Sequence, residues 1–255
     1  SSLATNQQRL GTGLRINSAA DDAAGLQIAT RLNAQSRGMS VAMRNVGDAT
    51  SMLQTAEGAF SEVTDILQRM KDLSTQAAND TNGVSDRTSL KSEYDELGKE
   101  LVNIVNNTKY AGEAAGGKFS AAVNFQIGAS AAEKLTMDVT ADMTALRTEL
   151  TTTVQAGTMD TAANAGTTIT ALETALNNVG SMRAKFGANI NRLNHTSNNL
   201  ANMKDNTDMA KGRIMDADFA IESANMSKNS MLMQSGISML KQAGQMPGMV
   251  MGLLG

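Results

Sequence analysis

Apolar residues recur at every seventh position along the first third of the chain, at Leu32, Met39, Val46, Leu53, Phe60 and Leu67. A companion series three or four residues away, Ile28, Gln35, Ala42, Ala49, Ala56, Val63, Met70 and Ala77, is mostly small. Two interleaved series at this interval are the mark of a helix seam, because a 3.5-residue repeat keeps one narrow stripe turned toward a partner. The spacing predicts one helix over residues 23–78, on the order of 75–80 Å long at 1.5 Å per residue. A second seam, Leu172, Val179, Phe186, Leu193 and Leu200, joined by Leu176 and Ile190, predicts another rod toward the opposite end.

Between the seams, "NDTNGVSD" over 79–86 is rich in turn formers, and Leu90, Tyr94, Leu97, Leu101, Ile104 and Val105 then resume helical spacing. This predicts a third helix folded back on the first. After Lys109 the pattern breaks into Gly and small residues, and "AAVNFQIGA" with "KLTMDV" reads as two short strands joined by a turn. The Thr-, Ala- and Gly-rich stretch from Thr148 to Gly166 is compatible with helix or loop.

Near the start lies "QRLGTGLRINSAADDAAGLQIATRL", from Gln8 to Leu32. Gly11, Gly13 and the "NSAADD" cluster interrupt helix propensity, and Ser18, Asp21 or Asp22 can cap the helix that follows. The patch is therefore expected to connect two helical pieces. At the other end, apolar density rises from Asp218 onward through Phe219, Met226, Met233, Ile237, Leu240, Met246, Met249, Val250, Met251, Leu253 and Leu254. An apolar stripe of this size awaits a partner, either another chain or a segment preceding Ser1. Its Met content suits an adaptable core-filling face or a promiscuous binding surface.

Composition sharpens the fold class. Aromatics are 3% of the residues, Trp is absent, and there is one Pro beside 18 Met. These proportions favour long helices zipped by small and medium side chains. The expectation is a mainly α chain: a long antiparallel coiled-coil-like bundle with a small β-hairpin region and paired N- and C-terminal segments. A net charge of −3 with mixed signs supplies no basic field for nucleic acid or an anionic membrane. No apolar run approaches the roughly 20 residues of a membrane span, and the absence of Cys removes disulfides and thiolate chemistry.

Candidate chemistry is sparse. His195 falls two residues past Leu193, on the outer face, with no second His, Cys or carboxylate cluster nearby in sequence. Asp21 and Asp22 stand where carboxylates cap a helix. "GTGLRIN" lacks the preceding strand and third glycine of a phosphate loop. Arg69, Lys71 and Asp72 look like a solvated face. No nucleophile, base or metal constellation emerges, so the expectation is a protein that is not an enzyme and uses no cofactor.

Five stretches, "RLGTGLRINSAADDAAG", "ANDTNG", "TKYAG", "FQIGA" and "SKNSMLMQSGISMLKQAGQMPGMVMGLL", resemble in this order the landmarks of bacterial flagellins. The resemblance runs over nearly the whole chain. Gly11 and Thr12 stand where the family usually has two serines, Ala20 where lysine is common, and the C-terminal stripe is unusually rich in Met. It implies that roughly the first 20 residues of the family pattern precede Ser1, and that the large variable outer domain is absent or reduced.

On this resemblance, residues 1–20 are an inner-tube remnant and spoke, and 21–110 hold two antiparallel helices. Residues 111–166 hold the hairpin and a short variable region, 167–215 the second long helix, and 216–255 the inner-tube helix. The implied function is a secreted, extracellular subunit that self-assembles into the flagellar filament; the alternative is a cell-surface adhesin or glycan-binding protein on the same scaffold. Implied partners are neighbouring subunits, a flagellin export chaperone, animal Toll-like receptor 5 and the plant flagellin receptor, the last reading the segment from Gln8 to Ala29. Phe219, Met226, Met233, Ile237, Leu240, Val250, Leu253 and Leu254 are the expected polymerisation and chaperone residues. Gln68, Arg69 and Leu73, with Glu93 opposite, match the family's Toll-like receptor signature, Arg69 as a forked cation and Leu73 as an apolar knob.

Overall fold

The computed structural model describes residues 2–110, 113–114 and 118–254. Ala111 and Gly112 of "TKYAG", and the side chains of Phe219, Met246 and Val250, lie outside the described residues. In chain order the elements are α1 (Ser2–Thr12), α2 (Ala23–Ala77), α3 (Val84–Asn107), β1 (Lys109–Tyr110), β2 (Glu113–Ala114), β3 (Val123–Gln126) and β4 (Lys134–Met137). They continue with α4 (Thr140–Thr148), a π-helical turn (Glu149–Val154), α5 (Ala162–Met215) and α6 (Phe219–Leu254). β1 pairs with β2 and β3 with β4, both antiparallel; the second pair sets Val123 opposite Met137 and Phe125 opposite Leu135. The chain forms two compact units, Gly38–Asn202 and a second made of Ser1–Arg37 with Met203–Gly255.

In the Gly38–Asn202 unit the heptad seams are core. Met39, Val46, Leu53, Phe60 and Leu67 are buried on α2, and Leu172, Val179, Phe186, Leu193 and Leu200 on α5. Phe60 and Phe186 stack with ring centroids 5.5 Å apart, and Phe119 adds a tilted ring 5.1 Å from Phe186. α3 lays Tyr94, Leu101 and Val105 into the same core, with Leu90, Leu97 and Ile104 half-buried beside them. The fold-back is set by local chemistry: the Asp86 carboxylate accepts the Gly83 N–H at 2.9 Å, and Arg87 Nε donates to the Ala77 carbonyl at 2.9 Å. One ion pair borders the seam, with Arg183 Nε donating to Glu57 Oε1 at 2.9 Å.

The stretch that sequence left open between helix and loop is mostly helical. α4 and the π turn bury Met143, Leu146, Leu150 and Val154 along one face, and α5 begins at Ala162, inside the range assigned to the hairpin and variable region. Tyr94 Oη donates to the Val154 carbonyl and so ties the π turn to α3. The β3–β4 turn lies against α2 at a glycine: a Cβ on Gly38 would come within 2.8 Å of Ala129 Cβ.

In the terminal unit the seam drifts by one residue. Ile28 is 41% exposed, Gln35 is exposed and Leu32 is only half-buried, whereas Ala29 and Ser36 are buried. The expected positions fail because burial at 36, 39 and 42 takes two successive steps of three, which rotates the stripe away from a strict seven-residue repeat. Ser36 is accommodated by donating its hydroxyl to Asp208, which also pairs with Lys204 at 2.8 Å. Gly11 does not interrupt a helix, since α1 runs through it to Thr12; the break falls at Gly13, whose φ of +72° disfavours a side chain.

Candidate functional site

The connector of the terminal unit is held by backbone bonds between the two ends of the chain. Arg15 N–H donates to the Met215 carbonyl, Ala217 N–H donates to the Gly13 carbonyl at 3.0 Å, and Leu14 bridges Asp216. The Arg15 guanidinium reinforces them, with Nε and Nη2 donating to the Ile214 carbonyl at 3.1 and 2.8 Å. Asp21 accepts the N–H groups of Asn17 and Ser18 at 2.9 and 3.0 Å, bonds that hold its carboxyl below the usual aspartate range. Asp22 caps α2 by accepting the Gly25 N–H at 2.8 Å, and its carboxyl is lowered by that bond and by Arg15. Space beside Gly25 is short: a Cβ would meet Asp22 Oδ2 at 2.6 Å and Ile16 Cδ1 at 2.8 Å, so those side-chain ends would have to shift. The "NSAADD" cluster is thus a hydrogen-bonded brace.

α1 packs on the first part of α6. Arg9 Nη1 reaches Glu222 Oε1 at 3.3 Å while its Nε donates to the Arg15 carbonyl at 3.1 Å. Sequence reasoning missed this pair, because a Glu buried in a terminal helix becomes visible only once the two chain ends are juxtaposed. Leu3 and Gln7 flank a groove completed by Met226, Ser230, Met231 and Gln234.

Past that groove the described side chains of α6 are exposed. Of the expected assembly residues, Met226 is half-buried, while Met233, Ile237, Leu240, Leu253 and Leu254 are exposed, Leu253 to 88%. Met226, Met233, Ile237 and Leu240 share one face by their spacing of seven, four and three. Met231, Met239 and Met249 are also exposed, at 67%, 69% and 70%, and lie away from that face. Lys241 is the single charged residue from Met231 to Leu254. A helix apolar on several sides is built to be surrounded, not to rest one face on a core.

The third surface lies on α2 and α3. Arg69 Nε and Nη2 donate to Glu93 Oε1 and Oε2 at 3.0 and 3.1 Å, and both side chains are about half exposed. Gln68 is exposed beside them. Leu73 departs from expectation: it is 1% exposed and belongs to the core, so it cannot be a knob offered to a partner. The reason is its register: Leu73 stands seven residues after Ile66 and three heptads after Met52, on the flank of the buried stripe that runs through Leu67, Met70, Ser74 and Ala77. Lys71 instead reaches across to Glu173 at 3.2 Å.

His195 is exposed on α5. Among the described residues no group of three or more His, Cys, Asp or Glu could hold a metal ion, and no helix is long and apolar enough to cross a membrane.

Paired chain ends, a braced connector and a long apolar helix define a helical protein of the class built to associate through its terminal segments. Residues 1–115 match the bacterial flagellin N-terminal helical region, and residues 169–254 match the bacterial flagellin C-terminal helical region. The chain belongs to the flagellin family. It is 39% identical to a flagellin of Halalkalibacterium halodurans, over 97% of this chain and 90% of that protein. It is 35% identical to flagellin A of Vibrio anguillarum, over 99% of this chain and 93% of that one, in an alignment of 357 positions against 255 residues here. The Vibrio relative therefore carries sequence with no counterpart in this chain, in keeping with a reduced variable region. The crystal structure of Bacillus cereus flagellin is similar at 33% identity and a TM-score of 0.53, covering 62% of this chain and 88% of that one. A putative flagellar hook-associated protein from Vibrio parahaemolyticus shares the fold at 14% identity, with a TM-score of 0.62 over 77% of this chain and 100% of that one.

Proposed function

We infer that the chain is a structural subunit that self-assembles into the extracellular bacterial flagellar filament, and that its role is mechanical. The observation that carries this reading is α6, where Met233, Ile237 and Leu240 lie on one face and Met231 and Met239 on another, more than one partner helix can cover. Removing each such Leu, Ile or Met from water stabilises by about 1.5–3 kcal/mol, so several buried together outweigh the cost of ordering and association. Repetition of one contact between identical chains then extends a fibre whenever the rotation does not close. Electron microscopy of the full-length protein under polymerising conditions tests this; absence of filaments there overturns it.

The finer partners follow from the same surfaces. Before assembly the uncovered α6 needs protection, which suits a flagellin export chaperone during secretion; chaperone binding unchanged by deletion of residues 218–255 refutes that. The Arg69–Glu93 face, with Gln68, is the surface offered to Toll-like receptor 5, now without Leu73. The segment from Gln8 to Ala29 is the plant-receptor epitope; a synthetic peptide of that span is tested on receptor-bearing plant cells, where silence removes it.

A further inference from the structure

Asn82 is the single Asn of the chain that is followed by Gly. Gly83 has no Cβ to shield its peptide nitrogen, and the pair lies in the turn between α2 and α3, Asn82 half-buried and Gly83 exposed. The turn belongs to the Gly38–Asn202 unit. In such a dipeptide the backbone nitrogen can attack the preceding carboxamide, so the engagement of the two groups decides whether the reaction runs. Here both are held. Asn82 Nδ2 donates to the Gln76 carbonyl at 2.6 Å and to the Asn79 carbonyl at 2.9 Å, which turns the carboxamide toward the end of α2. The Gly83 N–H donates to Asp86 Oδ2 at 2.9 Å. Before the nitrogen can attack it must lose that hydrogen, and a carboxylate beside it opposes a second negative charge.

We propose that the Asn82–Gly83 peptide is a site of hydrolytic self-modification, conversion of Asn82 to aspartate and isoaspartate, and that Asp86 and the carbonyls of Gln76 and Asn79 guard it in the folded chain. When the guard opens, Gly83 N gives its proton to a solvent base and its electron pair forms a bond to Asn82 Cγ. The Cγ–Nδ2 bond then breaks, and the nitrogen takes a proton from solvent and leaves as ammonia. The product is a cyclic imide joining the two residues. Water opens it: attack at Cγ restores the ordinary peptide with a carboxylate side chain, whereas attack at the backbone carbonyl carbon routes the chain through Cγ. Nothing is oxidised or reduced. Either product carries a carboxylate with no hydrogen to give, so the Gln76 and Asn79 carbonyls lose the Asn82 side chain as a donor. The Gln76 carbonyl is among the last of α2, which have no partner within the helix, so the change loosens the point where α3 folds back.

The test incubates the full chain in mildly alkaline buffer, folded and in urea, and follows aspartate and isoaspartate at position 82 by peptide mass spectrometry. Deamidation in the folded chain is expected to be at least about tenfold slower than in urea. Asp86→Asn keeps an oxygen that can accept from the Gly83 N–H but removes the charge; folded, it is expected to deamidate Asn82 at least about threefold faster than wild type. Hydrogen exchange on the same samples separates guarding from unfolding: the Gly83 amide of the variant should exchange faster while those of Leu97 and Leu101 in α3 stay protected. Asn82→Asp, which carries the product side chain, should exchange its Ala78 and Asn79 amides faster than wild type. Equal rates in the folded chain and in urea, or an Asp86→Asn rate equal to wild type, overturn the proposal. So does a faster rate accompanied by lost protection at Leu97 and Leu101, because the turn would then open only with the helix. Unchanged exchange in Asn82→Asp overturns the loosening of the fold-back.

Discussion

Arg69 and Glu93 meet across the α2–α3 pair as a two-bond fork, each guanidinium nitrogen facing its own carboxylate oxygen, Nε at 3.0 Å and Nη2 at 3.1 Å. The fork is half exposed, so water competes for it and its contribution to stability is about 0–1 kcal/mol. In this geometry Glu93 orients the Arg69 head on the surface. Arg69→Asp is expected to lower Toll-like receptor 5 signalling by at least about tenfold, roughly 1.4 kcal/mol, because Arg anchors commonly dominate an interface. Helical content by circular dichroism should not change. Arg31→Asp, a reversal at another exposed position of α2, is the control. Equal signalling by wild type and the Arg69 variant in reporter cells removes the epitope from this chain.

The seam predicts a contrast in stability. Leu53 is fully buried, and truncating it leaves a cavity among side chains that cannot all collapse. Leu53→Ala should cost about 2–5 kcal/mol, while His195→Ala, at an exposed position, should stay within about 0.5 kcal/mol. Urea melts measure both, and reversed magnitudes would place the seam on the wrong face.

Tyr94 and Gly157 make a coupled pair around the π turn. The Val154 carbonyl accepts from Tyr94 Oη and from the Gly157 N–H at 3.2 Å, so Tyr94→Phe leaves it one donor and should cost about 0.5–1.5 kcal/mol. A Cβ on Gly157 would lie 2.6 Å from Tyr94 Oη, so Gly157→Ala is expected to be destabilising and to be partly rescued when combined with Tyr94→Phe. A double-mutant cycle from denaturant melts gives the coupling; additive losses would mean that the two positions do not meet.

The connector carries a pH dependence through Asp21 and Asp22. Hydrogen bonds from Asn17 and Ser18 lower the Asp21 carboxyl, and the bond from Gly25 leads in lowering Asp22, both below the ordinary 3.8. A depressed folded value means that the stabilisation is complete above 3.8 and is lost as pH falls through the folded value. Amide chemical shifts of Asn17, Ser18 and Gly25 should therefore titrate with midpoints below 3.8. In Asp21→Asn the Asn17 and Ser18 response should disappear. A midpoint at or above 3.8 contradicts the brace.

Periodicity alone determined the two long helices, the fold-back at 79–86 and the short hairpin, because a seven-residue stripe and a run of turn formers are local properties of a chain. It also determined that α6 is apolar out of proportion to any core visible in the sequence. What it could not determine was which side of a helix end is covered, since that depends on how many neighbours arrive and from where. Leu73 belongs to neither of the two seam series and looked free, yet it is buried beside them. Ile28 and Gln35 continued the companion series but turn outward, because the stripe rotates where burial takes two steps of three. The Arg9–Glu222 contact joins residues 213 positions apart. Contacts across such distances, and the solvent left over when all of them are made, exist only in the tertiary structure.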